Sequence, residues 1–326
     1  MRIKKELWGN AANEEVFLYT LYSDAMAVSL TNYGCTITDI LIDGKNIIAG
    51  YSAFKDLEQD KYYMGSLVGR FAGRIKNASF EINGVGYPLT ANDGDTGHHL
   101  HGGGKGFNRM VFKEVSTHSA DTSAAVTFRG ISQHLEEGFP GTVDLNVTIT
   151  LNIDNEIIFS YFASADRPTH INLTHHLYYN LNGREQPSDQ FLRVHSRQML
   201  QTTEEYIPTG KIVEIPAECN FSVLKKIPPE ATFNECYIVN HSNELNIVAE
   251  LTDKDSSLKM QVSTTCPGLI FYTGHFLASP FLPRQGICLE TQYFPDSPNH
   301  SGFPSTLYDQ HTGFKEYTKL SFIKFN

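Results

Sequence analysis

Glu290 ends an apolar run, Gly286-Ile287-Cys288-Leu289, that reads as a buried strand; beyond Thr291-Gln292-Tyr293-Phe294 comes a loop rich in proline, aspartate and asparagine. A carboxylate beside Ile287 and Leu289 is expensive to bury without a partner or a use. Placed there, it is a candidate general base. The bland alternative is a solvated glutamate at a strand end. Histidines cluster in two other stretches: His98-His99-Leu100-His101-Gly102-Gly103, and His170 followed by His175-His176 within Leu173-Thr174-His175-His176-Leu177-Tyr178. A histidine titrates near neutrality, so with a raised glutamate it forms a pair able to pass a proton. His176 also fits a satisfied core histidine, and His101 the cap of a glycine-rich loop.

The same crowding raises a metal reading. On a strand, His99 and His101 would face one side, and two or three histidines with a carboxylate could bind zinc. No H-E-x-x-H is present and the cysteines do not complete a set, so no metal and no cofactor are expected. Gly102-Gly103-Gly104-Lys105-Gly106 lacks the strand–GxxxxGK[ST]–helix context of a phosphate cradle. The aromatic residues Phe107, Tyr178 and Tyr293 could form a platform for a ring-shaped ligand, with core packing as the competing role.

The elements that must position these residues repeat with period two. Leu145, Val147, Ile149, Leu151 and Ile153 alternate with polar residues, turn at Asp154-Asn155, and continue in Ile157, Phe159, Tyr161 and Ala163. That predicts a long hairpin with one buried face. Leu245, Ile247, Ala249 and Leu251, then Leu258, Met260 and Val262, repeat the design. Turn pairs Asp43-Gly44, Asn83-Gly84 and Asn182-Gly183 separate strands. The one short helix expected is Ser52 to Asp60, capped by Ser52. Strands without crossover helices must pair antiparallel, and this many need stacked sheets. The expectation is an all-β protein, one large antiparallel β-sandwich domain over residues 1–326.

With 326 residues and 40% hydrophobic content the chain can bury a large core. A net charge of −10 without a basic cluster argues against nucleic acid or an anionic membrane as partner. Five scattered cysteines (Cys35, Cys219, Cys236, Cys266, Cys288) suit free thiols in a reducing compartment. No signal peptide and no apolar run of membrane-spanning length is read, so a cytoplasmic protein is expected.

Three segments in order resemble the aldose 1-epimerases (galactose mutarotases). They are Gly69-Arg70-Phe71-Ala72-Gly73-Arg74 with the downstream Leu100-His101-Gly102-Gly103; Asn172-Leu173-Thr174-His175-His176-Leu177-Tyr178-Tyr179-Asn180-Leu181; and Leu289-Glu290-Thr291-Gln292-Tyr293-Phe294-Pro295-Asp296. The resemblance runs from Leu30-Thr31-Asn32-Tyr33-Gly34 to Phe322. It implies a twisted β-sandwich with a sugar groove on one sheet, a small-molecule sugar as partner, and interconversion of the anomers of a free aldose such as glucose or galactose. By resemblance Glu290 is the base, His176 the acid beside the ring oxygen, His101 a second donor to that oxygen and Arg74 a sugar ligand. Arg70 is expected to be structural. The state is expected to be a monomer or a homodimer.

The chain departs from the family at its hydroxyl-reading residues. Asn234 stands where the family has an aspartate, Ile270 where it has a glutamine, and His175 where it commonly has an asparagine. Asn234 and Ile270 are therefore substrate-binding candidates of altered chemistry, with Glu235 able to supply a carboxylate only through a shift of register. The departures leave open a 1-epimerase of a modified or phosphorylated sugar, with Arg74, Lys105 and Arg109 as phosphate ligands, and a non-catalytic carbohydrate-binding module. A glycosidase would need paired carboxylates, and only Asp296 lies near Glu290 in sequence.

Overall fold

The computed structural model describes residues 1–183, 189–239 and 242–325. Three antiparallel sheets dominate it. The N-terminal sheet runs Arg2–Ala11, Glu14–Tyr22, Met26–Thr31, Ile37–Ile42 and Lys45–Asn46 in chain order. The largest sheet has nine strands, in the order Lys113–Ser119, Ser123–Ser132, Val143–Asn152, Glu156–Ala165, Phe314–Lys324, Leu258–Thr264, Asn246–Asp253, Gln190–Val194 and Lys225–Lys226. The third, the site sheet, orders Pro208–Glu214, Gln198–Thr202, Asn234–Ile238, Gly268–Tyr272 and Cys288–Gln292. An all-β antiparallel sandwich is what the alternation implies, because each strand has one apolar face to bury.

Val126, Phe128, Val147, Ile149 and Phe159 of the nine-stranded sheet join Tyr19, Leu21, Val28 and Ile40 of the N-terminal sheet in one apolar cluster. Leu269, Phe271 and Leu289 of the site sheet belong to it too. The Leu145–Ala163 hairpin forms with Leu145 opposite Ala163 and Leu151 opposite Ile157, although Ile153 lies beyond the strand and is exposed. The second hairpin departs from strict alternation. A bulge between Ile247 and Ala249 changes the phase, so Val248 is buried while Leu245 and Ile247 are exposed. Asp43-Gly44 and Asn83-Gly84 turn with positive φ at both residues, as two-residue hairpins require. The helix is shorter than expected, Phe54–Glu58, with Ala53 at the cap position and no side-chain cap, so Ser52 does not cap it.

Candidate active site

The pleat of the site sheet sorts its side chains. Leu269, Phe271 and Leu289 face the core, so Gly268, Ile270, Tyr272, Cys288, Glu290 and Gln292 face the other way. Register places Ile270 opposite Glu290, and Cys236 opposite Ile270; Tyr272 lies opposite Cys288, and Asn234 opposite Tyr272. Glu290, Gln292, Ile270, Tyr272, Asn234 and Cys236 thus form part of the wall of a cleft of about 150 Å³.

Short segments on the far wall supply the rest. Asn172 ties them together: its amide donates to the carbonyls of Ala72 and Tyr293, and its side-chain oxygen accepts the Tyr293 N–H. The main chain of His176 is pinned at both groups, its N–H donating to the Ser66 carbonyl and its carbonyl accepting from Gly65. His101 adopts φ of +54° and is followed by Gly102 at +90°, where a Cβ would meet the Gly69 carbonyl oxygen at 1.8 Å. Only glycine fits that approach, and the turn it allows swings His101 into the cleft.

All six residues singled out from the sequence, Arg74, His101, His176, Asn234, Ile270 and Glu290, line this one cleft. His176 Nε2 and Glu290 Oε1 are 3.6 Å apart, with the side chains 6% and 4% exposed. Glu290 Oε2 is buried and has no hydrogen-bond partner. Burial pushes the Glu290 carboxyl up to about 8, with the Arg74 charge pulling it back. Burial pushes His176 down to about 4, its own main-chain carbonyl acting the other way. Between those values the pair holds one proton, and burial favours it on Glu290, where it leaves both groups uncharged. Arg74 is fixed by its Nε–H donating to Asp93 Oδ2 at 2.7 Å, and its guanidinium lies 5.3 Å from the centre of the Tyr206 ring.

His101 is held in one tautomer. The Gly73 N–H donates to its Nδ1 at 3.2 Å, so Nδ1 carries no proton and the neutral ring keeps its proton on Nε2. Burial, with the neighbouring His176 and Arg74, holds the ring well below the ordinary histidine value. His101 is therefore a fixed neutral N–H donor. The ligand atoms of His101, His176 and Glu290 lie within 4.8 Å of one another, yet a ring that keeps its Nε2 proton offers a cation no lone pair there. The trio fits proton chemistry better than zinc.

Several expectations are corrected. His99 and His101 do not share a face, because the left-handed turn at His101 ends the strand; His99 Nδ1–H donates to the Thr90 carbonyl and the ring packs on Phe139. His175 bonds Tyr161 and the Cys35 carbonyl in the core, and His170 bonds Thr306. Arg70, by contrast, fits its expected structural role: it donates to the carbonyls of Gln133, Phe139, Pro140 and Gly141. Lys105 and Arg109 line a different cavity, where Arg109 donates to the carbonyls of Glu58 and Asp60, so neither joins Arg74. Glu235 alternates with Asn234 and does not line the cleft. Of the proposed platform only Tyr178 lines it; Phe107 is in the core and Tyr293 donates to the buried Glu316. The sequence reading missed Gln292 and Tyr63. Gln292 follows from the same period-two count that places Glu290; Tyr63, whose ring centre is 4.7 Å from that of His101, carries no sequence signal.

Burying neutral histidines makes the fold sensitive to acid. His170, His175 and His176 are all pushed from 6.5 to about 4 by burial. Below pH 6.5 the unfolded chain therefore binds more protons, and stability falls as pH falls toward 4. The three together set a slope of at most about 4 kcal/mol per pH unit. Glu290, whose folded value is raised, has the opposite sign and returns about 1.4 kcal/mol per unit of it between 8 and 4.5. Denaturant midpoints measured at pH 7, 6 and 5 should fall with increasing steepness; a flat series would contradict this.

Comparison with known proteins gives one consistent picture. The family model for aldose 1-epimerase matches residues 18–321. The chain is 31% identical to galactose mutarotase of Bos taurus, covering 91% of this chain and 93% of that protein. It is 28% identical to aldose 1-epimerase of Escherichia coli K12, covering 94% of each. The crystal structure of galactose 1-epimerase from Lactobacillus acidophilus superposes with a TM-score of 0.90 at 24% identity, over 100% of this chain and 99% of the other.

Proposed function

The chain belongs to the aldose 1-epimerase family, and on that premise we propose that Glu290 and His176 carry the proton transfers of anomer interconversion. With the sugar bound, Glu290 as carboxylate takes the proton of the anomeric hydroxyl. The C1–O5 bond breaks, C1=O1 forms, and His176 as imidazolium gives its Nε2 proton to O5. Rotation about C1–C2 presents the other face of the aldehyde, and the same two transfers run backward to close the ring. The observation that carries this reading is the pair itself: two buried groups 3.6 Å apart, with burial pushing the carboxyl up and the imidazole down. One proton enters Glu290 as another leaves His176, so the pair holds a single proton before and after ring opening and the site never has to import or release one. His101 supports O5 with its fixed Nε2–H, and Arg74 binds a hydroxyl.

Among the described residues that line the cleft, Glu290 is the only carboxylic acid. A glycosidase needs a second one across the scissile bond. The cations proposed for a phosphate do not converge, which favours an uncharged aldose, with glucose and galactose the simplest candidates. Among the described residues no helix is long and apolar enough to cross a membrane. The five free cysteines are all buried, which suits a reducing, cytoplasmic setting for a single-domain enzyme.

The test is polarimetry of freshly dissolved α-anomers of several aldoses, with wild type and the Asn234→Asp/Ile270→Gln double variant. The wild type should speed equilibration of at least one aldohexose. The double variant should lower KM for glucose or galactose by about ten- to a hundredfold, the worth of one charge-assisted hydrogen bond, while kcat changes less. If no aldose responds, the substrate assignment fails. If the variant binds every hexose worse, Asn234 and Ile270 are adapted to another sugar.

A further inference from the structure

Cys288 and Glu290 are two apart on one strand and face the same side. The His176 ring spans them: Cys288 Sγ is 3.5 Å from Nδ1, and Glu290 Oε1 is 3.6 Å from Nε2. We propose that the Cys288 sulfur is a positioning group, accepting Nδ1–H and holding neutral His176 in the tautomer whose Nε2 is bare. The inference rests on the reading of Glu290 and His176 as the proton-transfer pair.

The chemistry requires that tautomer. Nε2 is the nitrogen that faces Glu290. A proton can pass from the Glu290 carboxyl to Nε2 only if Nε2 has a free lone pair, so Nδ1 must keep its proton throughout. In the imidazolium both nitrogens carry hydrogen; after Nε2–H goes to O5, the ring returns to the Nδ1–H form. The sulfur accepts Nδ1–H in both states and takes part in no bond change. His101 is the converse case, its Nδ1 occupied as an acceptor and its Nε2 fixed as a donor.

A thiol suits the position because it stays uncharged. Cys288 is fully buried, and burial together with Glu290 holds its thiol well above the ordinary value. A carboxylate at Nδ1 would raise the basicity of His176 and trap the proton there. The other side chains facing the ring are Glu290, His101, Tyr63, Tyr178 and Tyr272. None of them hydrogen-bonds Nδ1, so among the described side chains the sulfur stands alone there, with the ring's own main-chain carbonyl the other acceptor in reach. Cys288 does not line the cleft, so it does not bind sugar.

The experiment is NMR of the full-length protein with histidine side chains labelled with nitrogen-15, His176→Gln providing the assignment. In wild type at pH 7, His176 should show the Nδ1–H tautomer. Cys288→Ala should shift it toward Nε2–H and lower kcat roughly two- to tenfold, the range of one ordinary neutral hydrogen bond, with KM unchanged. Cys288→Ser, which keeps an acceptor, should restore both signals. An Nε2–H tautomer in wild type, with the thiol donating to Nδ1, overturns the proposal, as does an unchanged tautomer in Cys288→Ala. The tautomer is read without turnover, so its failure is separate from failure of the acid–base assignment, which the Glu290 variant decides.

Discussion

Replacing Glu290 with glutamine lowers the rate of anomer interconversion by about 10²–10⁴-fold, the usual worth of a positioned acid–base group, and leaves the protein folded. The amide has nearly the shape of the acid but cannot take the anomeric proton. Stability gives a second readout. The folded carboxyl is raised from 4.5 to about 8 by burial, so the native state holds that proton more tightly than the unfolded chain does. As pH rises from 4.5 through 8, the wild type loses stability that the neutral glutamine does not lose. The variant should therefore gain on the wild type in denaturation midpoint as pH goes from 6 to 9. Wild-type rates in the variant, measured by polarimetry on the responsive sugar, remove Glu290 from the mechanism.

Exchanging His176 for glutamine costs a comparable factor, about 10²–10⁴, and changes the form of the pH dependence. The wild-type pair works only while it holds a single proton. It gains a second below about 4 and loses the last above about 8, so kcat/KM in the free enzyme should be bell-shaped between those limits. The alkaline limb is the cleaner measurement, because acid also destabilises the fold. In the glutamine variant the acid limb set by His176 should vanish. If His176→Gln keeps the wild-type rate, or the wild-type profile is flat between pH 5 and 9 with chemistry limiting, the pair is not the catalyst.

Much of this site was legible because it lies on strands. The alternation that buries Leu289 puts Cys288, Glu290 and Gln292 on the opposite face, and an acid in that frame is conspicuous. Arg74, His101 and His176 were reached through motif resemblance. What failed to show depends on backbone that leaves the regular period. The bulge at Ile247 turned the start of that strand over, exposing Leu245 and Ile247, while Ala249 and Leu251 keep the burial the alternation predicts. The left-handed turn at His101 parted it from His99. Tyr63 enters the cleft from a loop, Arg109 turns to the carbonyls of Glu58 and Asp60, and Lys105 lines the other cavity with it. Such placements are decided by contacts between distant segments, which no local pattern encodes.

The strand Phe314–Lys324 lies between Glu156–Ala165 and Leu258–Thr264 in the nine-stranded sheet. It follows both neighbours in the chain, and its Lys319 meets Glu156 across 163 residues. On a ribosome the four strands from Lys113 to Ala165 can zip together as local hairpins soon after they emerge. The outer edge of Glu156–Ala165 then stays open while almost all of the second half of the chain is made. An unpaired edge bearing Ile157, Phe159 and Tyr161 on its apolar face is a template for joining the wrong chain. The vulnerable interval of this protein's life is the period of its own synthesis, and pairing of Phe314–Lys324 is the event that ends it.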